Sequence, residues 1–303
     1  MRTAKINIWL IMDGKRGHEK QSEDLAQALQ NFAVIEVTKM DGKFLKPFIS
    51  KLLRLFNFDS IKKPDLIIGT GHATHLHMIF SKILNGGKTV VIMKPSLPYS
   101  WFDLCIIPKH DGVLEKPGIL LTNGAINNIE NEKKHNKNKG LIVLGGKSKH
   151  FKWDNQNVIL QINNIINQHP KIKFKIATSR RTPKDFVRCL NDSIKKNIPI
   201  FEYEKVKKNW LIEEAKLAKH AWVTEDSISM IYEFIASGSN VNPISIEKKY
   251  DSKISNEISR LINTGLISSY DGKINNRNNL VFSNEAKRCA NFIFTKWLNI
   301  SNE

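Results

Sequence analysis

Two stretches place acids, hydroxyls, a histidine and glycines close enough together to act on one ligand. The first, "MDGKRGHEKQ" from Met12, sets Asp13 five residues ahead of His18, with Gly14, Lys15, Arg16 and Gly17 between them. An imidazole in such a turn can take a proton from a hydroxyl as a general base, and Asp13 is the alternative base. Backbone N–H groups beside a helix start also suit an anion or a sugar hydroxyl. A plain Gly-rich strand-to-helix turn with a solvated histidine is the competing reading. The second stretch, "HAWVTEDSISMIYEFIASG" from His220, runs an apolar strand into Thr-Glu-Asp-Ser and then a helix. Asp226 or Ser227 can cap that helix, and acids near its N-terminus are favoured by its dipole, which accounts for Glu225 and Asp226. It does not account for Glu233, which sits among Met230, Ile231, Phe234 and Ile235. A carboxylate there can accept two hydrogen bonds from a vicinal diol such as a ribose, with the turn from Glu225 through Ser227 and Ser229 to Met230 lining base and sugar.

Further strand ends carry polar groups. "VLGGKSKH" places Gly145, Gly146 and Ser148 among lysines. It has neither the GxGxxG spacing nor the first glycine of a P-loop. Mobile backbone, hydroxyl and cations still suit a diphosphate. "ATSRRTP" adds Ser179, Arg180 and Arg181, and arginine suits bidentate phosphate contacts, although an exposed solvated pair is equally natural. "GTGHATHLHMIF" holds His72, His75 and His77. His72 and His75 fit one face of a helix start, His77 does not, and no carboxylate stands nearby, so polar lining of a cleft or helix capping is expected and no metal site is. "MKPSLPYSW" brings Lys94 and Ser96 into a proline-stiffened loop that reads as substrate-facing.

The elements that must position these groups alternate. Apolar runs at residues 6–12, 34–37, 64–71, 89–96 and 103–112 read as strands separated by helical spacing, the pattern of crossover units and a parallel sheet. Residues 127–139, "NNIENEKKHNKNK", are polar with a single apolar side chain and read as a linker. The alternation then restarts through residue 246. The expected organisation is an N-terminal Rossmann-like domain over 1–126, a linker over 127–139, a second such domain over 140–283, and a C-terminal helix over 284–303 that packs back across the joint.

Composition narrows the classes. Three scattered cysteines give no disulfide framework or zinc ribbon. No run approaches the roughly 18 apolar residues that cross a bilayer, so a cytoplasmic protein is expected. The net charge of +18 is dispersed, with 17 Lys and Arg against 11 Asp and Glu in residues 1–125, and 26 against 16 in residues 140–303. A nucleic-acid binder concentrates such charge, so anionic partners in general are implied and no specific nucleic acid is. Residues 43–63, "KFLKPFISKLLRLFNFDSIKK", place apolar side chains at helical spacing opposite basic ones. They read either as an interfacial helix on an anionic membrane, which would put the protein on the inner face of the cell membrane, or as a face packed on the sheet.

The order strand, GG-x-S turn, then strand, Ser-rich turn and helix with a central glutamate resembles the donor half of GT-B glycosyltransferases, in particular the N-acetylglucosaminyltransferase of peptidoglycan synthesis. More closely, "DGKRGHEKQ", "IIGTGHATH", "MKPSLPYSWFDLCIIPKHD", "SRRTP" and "VTEDSISMIYEF" resemble the signatures of the mitochondrial fission (elongated-mitochondria) family and its bacterial relatives. The resemblance implies an α/β fold of two Rossmann-like domains with parallel sheets in a GT-B arrangement and a cleft between them. It further implies a nucleotide-diphosphate sugar on the second domain, with no cofactor or metal. Gly145, Gly146 and Ser148, with Arg180 and Arg181, would hold the diphosphate, Ser179 would belong to the same donor site, and Glu233 would hold the ribose. His18 or Asp13 would serve as base, with Gly17, His72, His75, Lys94 and Ser96 lining the acceptor cleft. In "GGKSKH" a lysine separates Gly from Ser, so the role of Ser148 carries over by position only. No Asp-x-Asp occurs, in keeping with metal-free GT-B chemistry. Plant members of the family are associated with recruiting a dynamin-like GTPase to mitochondria. The alternative to an enzyme is therefore a membrane-associated scaffold that keeps the fold.

Overall fold

A computed structural model of the chain describes residues 5–42, 62–130, 134–194, 197–207, 209–270 and 284–298. The chain divides into two compact units, Met1–Asn128 with Ser283–Glu303, and Ile129–Phe282. The amphipathic stretch at residues 43–63 lies almost wholly outside the described residues.

The first unit is built on six strands, β1 (Lys5–Met12), β2 (Val34–Asp41), β3 (Leu66–Thr70), β4 (Lys88–Ile92), β5 (Leu104–Pro108) and β6 (Ile119–Thr122). They form one sheet in the order β2-β1-β3-β4-β5-β6, with every pair parallel. The near-continuous apolar runs follow from burial on both faces. Ile8 and Leu10 of β1 pack into one core with Leu25 and Leu29 of α1 (Arg16–Leu29), while Trp9 and Ile11 face another with Met78 of α2 (His75–Asn85). Strand β6 has only four residues and no alternation, and its signal was too short to read.

The second unit has β7 (Asn136–Val143), β9 (Lys173–Ala177), β10 (Ile200–Phe201), β11 (Ala218–Thr224) and β12 (Asn240–Ile244) in the order β10-β9-β7-β11-β12, again all parallel. Helix α3 (Asn155–Gln168) spans the range its periodicity predicts, because Asp154 caps it by accepting from the amides of Gln156 and Asn157. Helices α4 (Lys184–Ser193), α5 (Trp210–Leu217), α6 (Ile228–Ser237) and α7 (Lys253–Asn263) complete the layers. A two-residue antiparallel pair, β8 (Phe151–Lys152) with β13 (Glu247–Lys248), ties the loop after β7 to the loop after β12.

Two expectations change. Residues 136–139, read as linker, are the first half of β7: their side chains are polar because that end of the strand is largely exposed, while the buried half starts at Gly140. Gly17 and His18, read as loop, lie in the first turn of α1. The last helix, α8 (Glu285–Ile293), returns to the first unit and buries Ala286, Cys289, Ala290 and Ile293 in the core shared with α1. It ends in a wider π-helical turn, Phe294–Leu298, whose Phe294 stacks on Phe32.

Candidate functional site

In an open parallel sheet, ligands gather outside the carboxyl ends of the strands where the strand order reverses. The first unit reverses between β1 and β3, since the chain passes from β1 to β2 on one side and continues through β3 on the other. Three consecutive strand ends there turn through left-handed backbone: Gly14 after β1 (φ 78°), Gly71 after β3 (φ 82°) and Met93 after β4 (φ 74°). Such a φ is easy for glycine and strained for methionine. Strain of this kind persists only where the surroundings fix it.

Those turns bring His18 and Asp13 together. Asp13 is buried, and its Oδ2 lies 2.7 Å from His18 Nδ1, while its Oδ1 accepts from the Lys15 amide at 2.9 Å. A carboxylate on Nδ1 places the ring proton there and leaves Nε2 as the acceptor. Gly71 supplies the room, for a Cβ at that position would lie 2.5 Å from His18 Nδ1. Ser22 of α1 and Thr70 of β3 share a buried hydrogen bond of 2.7 Å that holds the helix start against the strand end. Gly17 is exposed and open space surrounds its missing side chain.

The neighbouring strand ends add His72, exposed, and His75, buried against the edge of the Phe102 ring. Burial, with His72 secondary, pushes the His75 imidazole down to about 4, so it is neutral near pH 7. Its Nδ1 stands 3.3 Å from Ser96 Oγ, and its Nε2 is buried without a partner among the described residues. Lys94 and Ser96 are exposed on the loop that Met93 starts. Among the described residues no three His, Cys, Asp or Glu gather as a metal site.

The second unit reverses between β7 and β11, which brings Gly145 and Gly146 against the Glu225–Ser227 turn. Here the structure assigns the glycines a role that their sequence did not reveal. Their amides are spent inside the unit: Gly145 N donates to Thr224 Oγ1 at 2.7 Å and Gly146 N to Asp226 Oδ2 at 3.0 Å. A Cβ on Gly145 would lie 2.2 Å from Asp226 Oδ2, and one on Gly146 would lie 1.9 Å from the Arg181 carbonyl oxygen. The glycines are there for this close approach. Asp226, expected to line the sugar, is instead the keystone of the turn. Its Oδ2 also meets the Arg181 guanidinium at 2.8 Å, and Arg181 reaches Ser227 Oγ at 2.7 Å. Burial raises the pKa of Asp226, with Arg181 opposing.

Glu225 is likewise internal. It accepts from the Ile246 amide at 3.0 Å and from the Tyr270 hydroxyl, and burial raises its pKa. Ser179 Oγ donates to the Gly145 carbonyl at 2.6 Å, as Thr182 Oγ1 also does. Ser148 Oγ accepts from the amides of His150 (3.3 Å) and Phe151 (3.1 Å), which closes the turn into β8. Thr182 and Tyr270 escaped the sequence reading because their partners lie 37 and 45 residues away. What faces outward is Arg180, exposed beside the Tyr203 ring, with Lys147, Lys149 and Ser229 also exposed, and Glu233 half-buried one turn along α6 from Ser229. Ser227 Oγ is taken by Arg181 and makes no cap bond to α6.

A cavity of about 460 Å³ in the second unit opens at the other edge of its sheet, among Lys139, His169, Lys173 and Pro199. It is remote from these turns along the strands.

These two units, each an all-parallel sheet with helices on both faces and polar groups at the reversal point, define a protein of the two-Rossmann GT-B fold class. Solved structures of like fold agree. A putative UDP-N-acetylglucosamine 2-epimerase from Listeria monocytogenes superposes with a TM-score of 0.62 at 12% identity, covering 99% of this chain and 98% of that one. The UDP-GlcNAc 2-epimerase from Neisseria meningitidis, solved bound to UDP-GlcNAc, gives 0.57 at 12% identity, covering 97% and 100%. Residues 16–297 match the family described as mitochondrial fission ELM1, and the chain belongs to that family. The uncharacterized protein RP120 of Rickettsia prowazekii (strain Madrid E) is 26% identical over 356 aligned residues, covering 95% of this chain and 98% of that protein.

Proposed function

We propose that the chain transfers a sugar from a nucleotide-diphosphate sugar to an acceptor hydroxyl. The observation that carries this reading is the Asp13–His18 pair, a buried carboxylate 2.7 Å from an imidazole whose other nitrogen is left to act as base. In the reaction, the acceptor hydroxyl loses its proton to His18 Nε2 as its oxygen bonds to the anomeric carbon. The bond from that carbon to the diphosphate breaks, and the nucleoside diphosphate leaves with the electron pair. Asp13 stabilises the imidazolium that forms, as carboxylates do in comparable dyads.

The second unit would hold the donor. The exposed cations Lys147, Arg180 and Arg181, together with the uncapped N-terminus of α6, would take the diphosphate charge as it develops. Glu233 and Ser229, four residues apart on one helix face, would take the ribose and sugar hydroxyls. The choice of a nucleotide sugar draws support from the Neisseria meningitidis protein of like fold, which binds UDP-GlcNAc. Fold likeness alone does not carry an activity, so the test is direct. UDP-, GDP- and ADP-sugars are screened by thermal shift, since a ligand of the native state raises stability by mass action. One nucleotide class should raise the midpoint, and Glu233→Gln should weaken that donor roughly tenfold, about 1.4 kcal/mol, with its unfolding unchanged. No response to any donor, or an unchanged affinity in the variant, would contradict the assignment.

A further inference from the structure

The first unit carries its cations in two ways. Several are ion-paired: Lys5 and Lys62 meet Glu36, Lys39 meets Glu23, Lys20 meets Asp24, and Lys82 and Lys88 meet Asp103. Three at the strand ends beside His18 are not. Lys15, Arg16 and Lys94 form no ion pair or side-chain hydrogen bond among the described residues, and Lys15 and Lys94 are exposed. The acids of that turn form no ion pair with them. Asp13 is committed to His18 and to the Lys15 amide, and Glu19 accepts from the Gly14 amide at 3.0 Å.

Topology brings these cations to one place. Lys15 and Arg16 follow β1, Lys94 follows β4, and only β3 separates the two strands. Their ends are therefore about 10 Å apart at the usual strand spacing. Lys15 is the N-cap of α1 and makes no side-chain cap bond; the His18 amide donates to the Lys15 carbonyl at 2.9 Å, which leaves the Arg16 and Gly17 amides of the first turn without a partner among the described residues, beside the open space at Gly17. The strained Met93 turns the chain into Lys94 at the same edge. Three unpaired cations and a helix start, carried on strand ends beside one base, match a multiply charged anion better than a neutral hydroxyl.

We infer that the acceptor carries a phosphate or diphosphate close to the hydroxyl that reacts, held by Lys15, Arg16 and Lys94 over the first turn of α1. This rests on the reading of His18 as the base. The recognising chemistry is the same for a soluble phosphate ester and for a phospholipid headgroup.

The test uses the full chain with labelled histidine, the His18 ring signal being assigned from His18→Gln. Inorganic phosphate is titrated against sodium chloride at constant pH and ionic strength. A saturable shift of the His18 ring is expected. Lys15→Ala/Lys94→Ala should weaken it roughly tenfold, the scale of charge-assisted hydrogen bonds, whereas Lys62→Ala/Lys63→Ala should leave it unchanged. No saturable shift in the parent, or equal affinity in both double variants, would overturn the inference. Glycerol 3-phosphate and phosphatidylcholine vesicles containing phosphatidic acid then separate the sources: sedimentation with the acidic vesicles that Lys15→Ala/Lys94→Ala abolishes assigns a lipid phosphate, and a response to glycerol 3-phosphate alone assigns a soluble one. The donor is titrated in the same samples. If it binds while His18 ignores phosphate, this inference fails alone; if His18 responds and no donor binds, the donor reading fails alone.

Discussion

Gly71 leaves the space that His18 fills: a Cβ on Gly71 would sit 2.5 Å from His18 Nδ1 and 3.5 Å from Asp13 Oδ2. Two strand ends, 53 residues apart in sequence, thus hold one imidazole between a carboxylate and a bare backbone. Gly71→Ala is expected to displace the ring and to cost about 1–3 kcal/mol for the backbone alone, whose φ of 82° and ψ of 158° suit glycine. Urea unfolding gives the stability term, and loss of the His18 ring shift caused by Asp13 gives the displacement. An unchanged ring signal would show that His18 is held by other means.

Gly146 has the tighter neighbourhood. Its missing Cβ would fall 1.9 Å from the Arg181 carbonyl oxygen, at φ 151°. Gly146→Ala should therefore force the loop after β9 away from the loop after β7, destabilising the second unit by roughly 1–3 kcal/mol. Arg181 should lose its hold on Asp226 in the same step. Hydrogen exchange of the β7 and β9 amides checks the first effect, and donor affinity checks the second.

The strand and helix pattern was legible because buried parallel strands and amphipathic helices write their periods into the chain: α3 runs from Asn155 to Gln168 as its spacing predicts. The family was legible too, through turns such as "DGKRGHEKQ" and "VTEDSISMIYEF". The division of labour within those turns was not. Glu225 and Asp226 look like surface acids beside a helix start, and only the fold shows both buried, one on the Ile246 amide and the other on Arg181. Gly145 and Gly146 look like a phosphate loop, yet what demands glycine is close approach to Asp226 at the first and to the Arg181 carbonyl at the second, both distant in the chain. Local spacing carries no record of such distant partners.

The buried histidine of α2 gives a pH signature. His75 is held down to about 4 from an ordinary 6.5 by burial, with His72 adding to it. Between those values the unfolded chain binds a proton that the folded chain refuses, so this contribution is complete above pH 6.5 and is lost as pH falls towards 4. The slope is about 1.4 kcal/mol per pH unit for one such group. The raised carboxyls of Glu225 and Asp226 act with the opposite sign but are common to parent and variant. The stability advantage of the parent over His75→Gln, read from exchange of the β3 amides, should therefore shrink from pH 6.5 to pH 4.5. A difference that stays flat would mean that His75 takes up its proton in the folded state as readily as in the unfolded one.

The central claim is that His18, oriented by Asp13, is the base of a sugar transfer. Its most direct test is transfer from donors labelled in the sugar, supplied as UDP-, GDP- and ADP-sugars, with a whole-cell extract as the source of acceptor. Parent, His18→Ala and Asp13→Asn are compared at equal donor occupancy. The parent should build a labelled product from one nucleotide class. His18→Ala should be slower by roughly 10²–10⁴-fold with donor affinity unchanged, and Asp13→Asn should fall between them. No labelled product from any donor, or equal rates in parent and His18→Ala, would contradict the account.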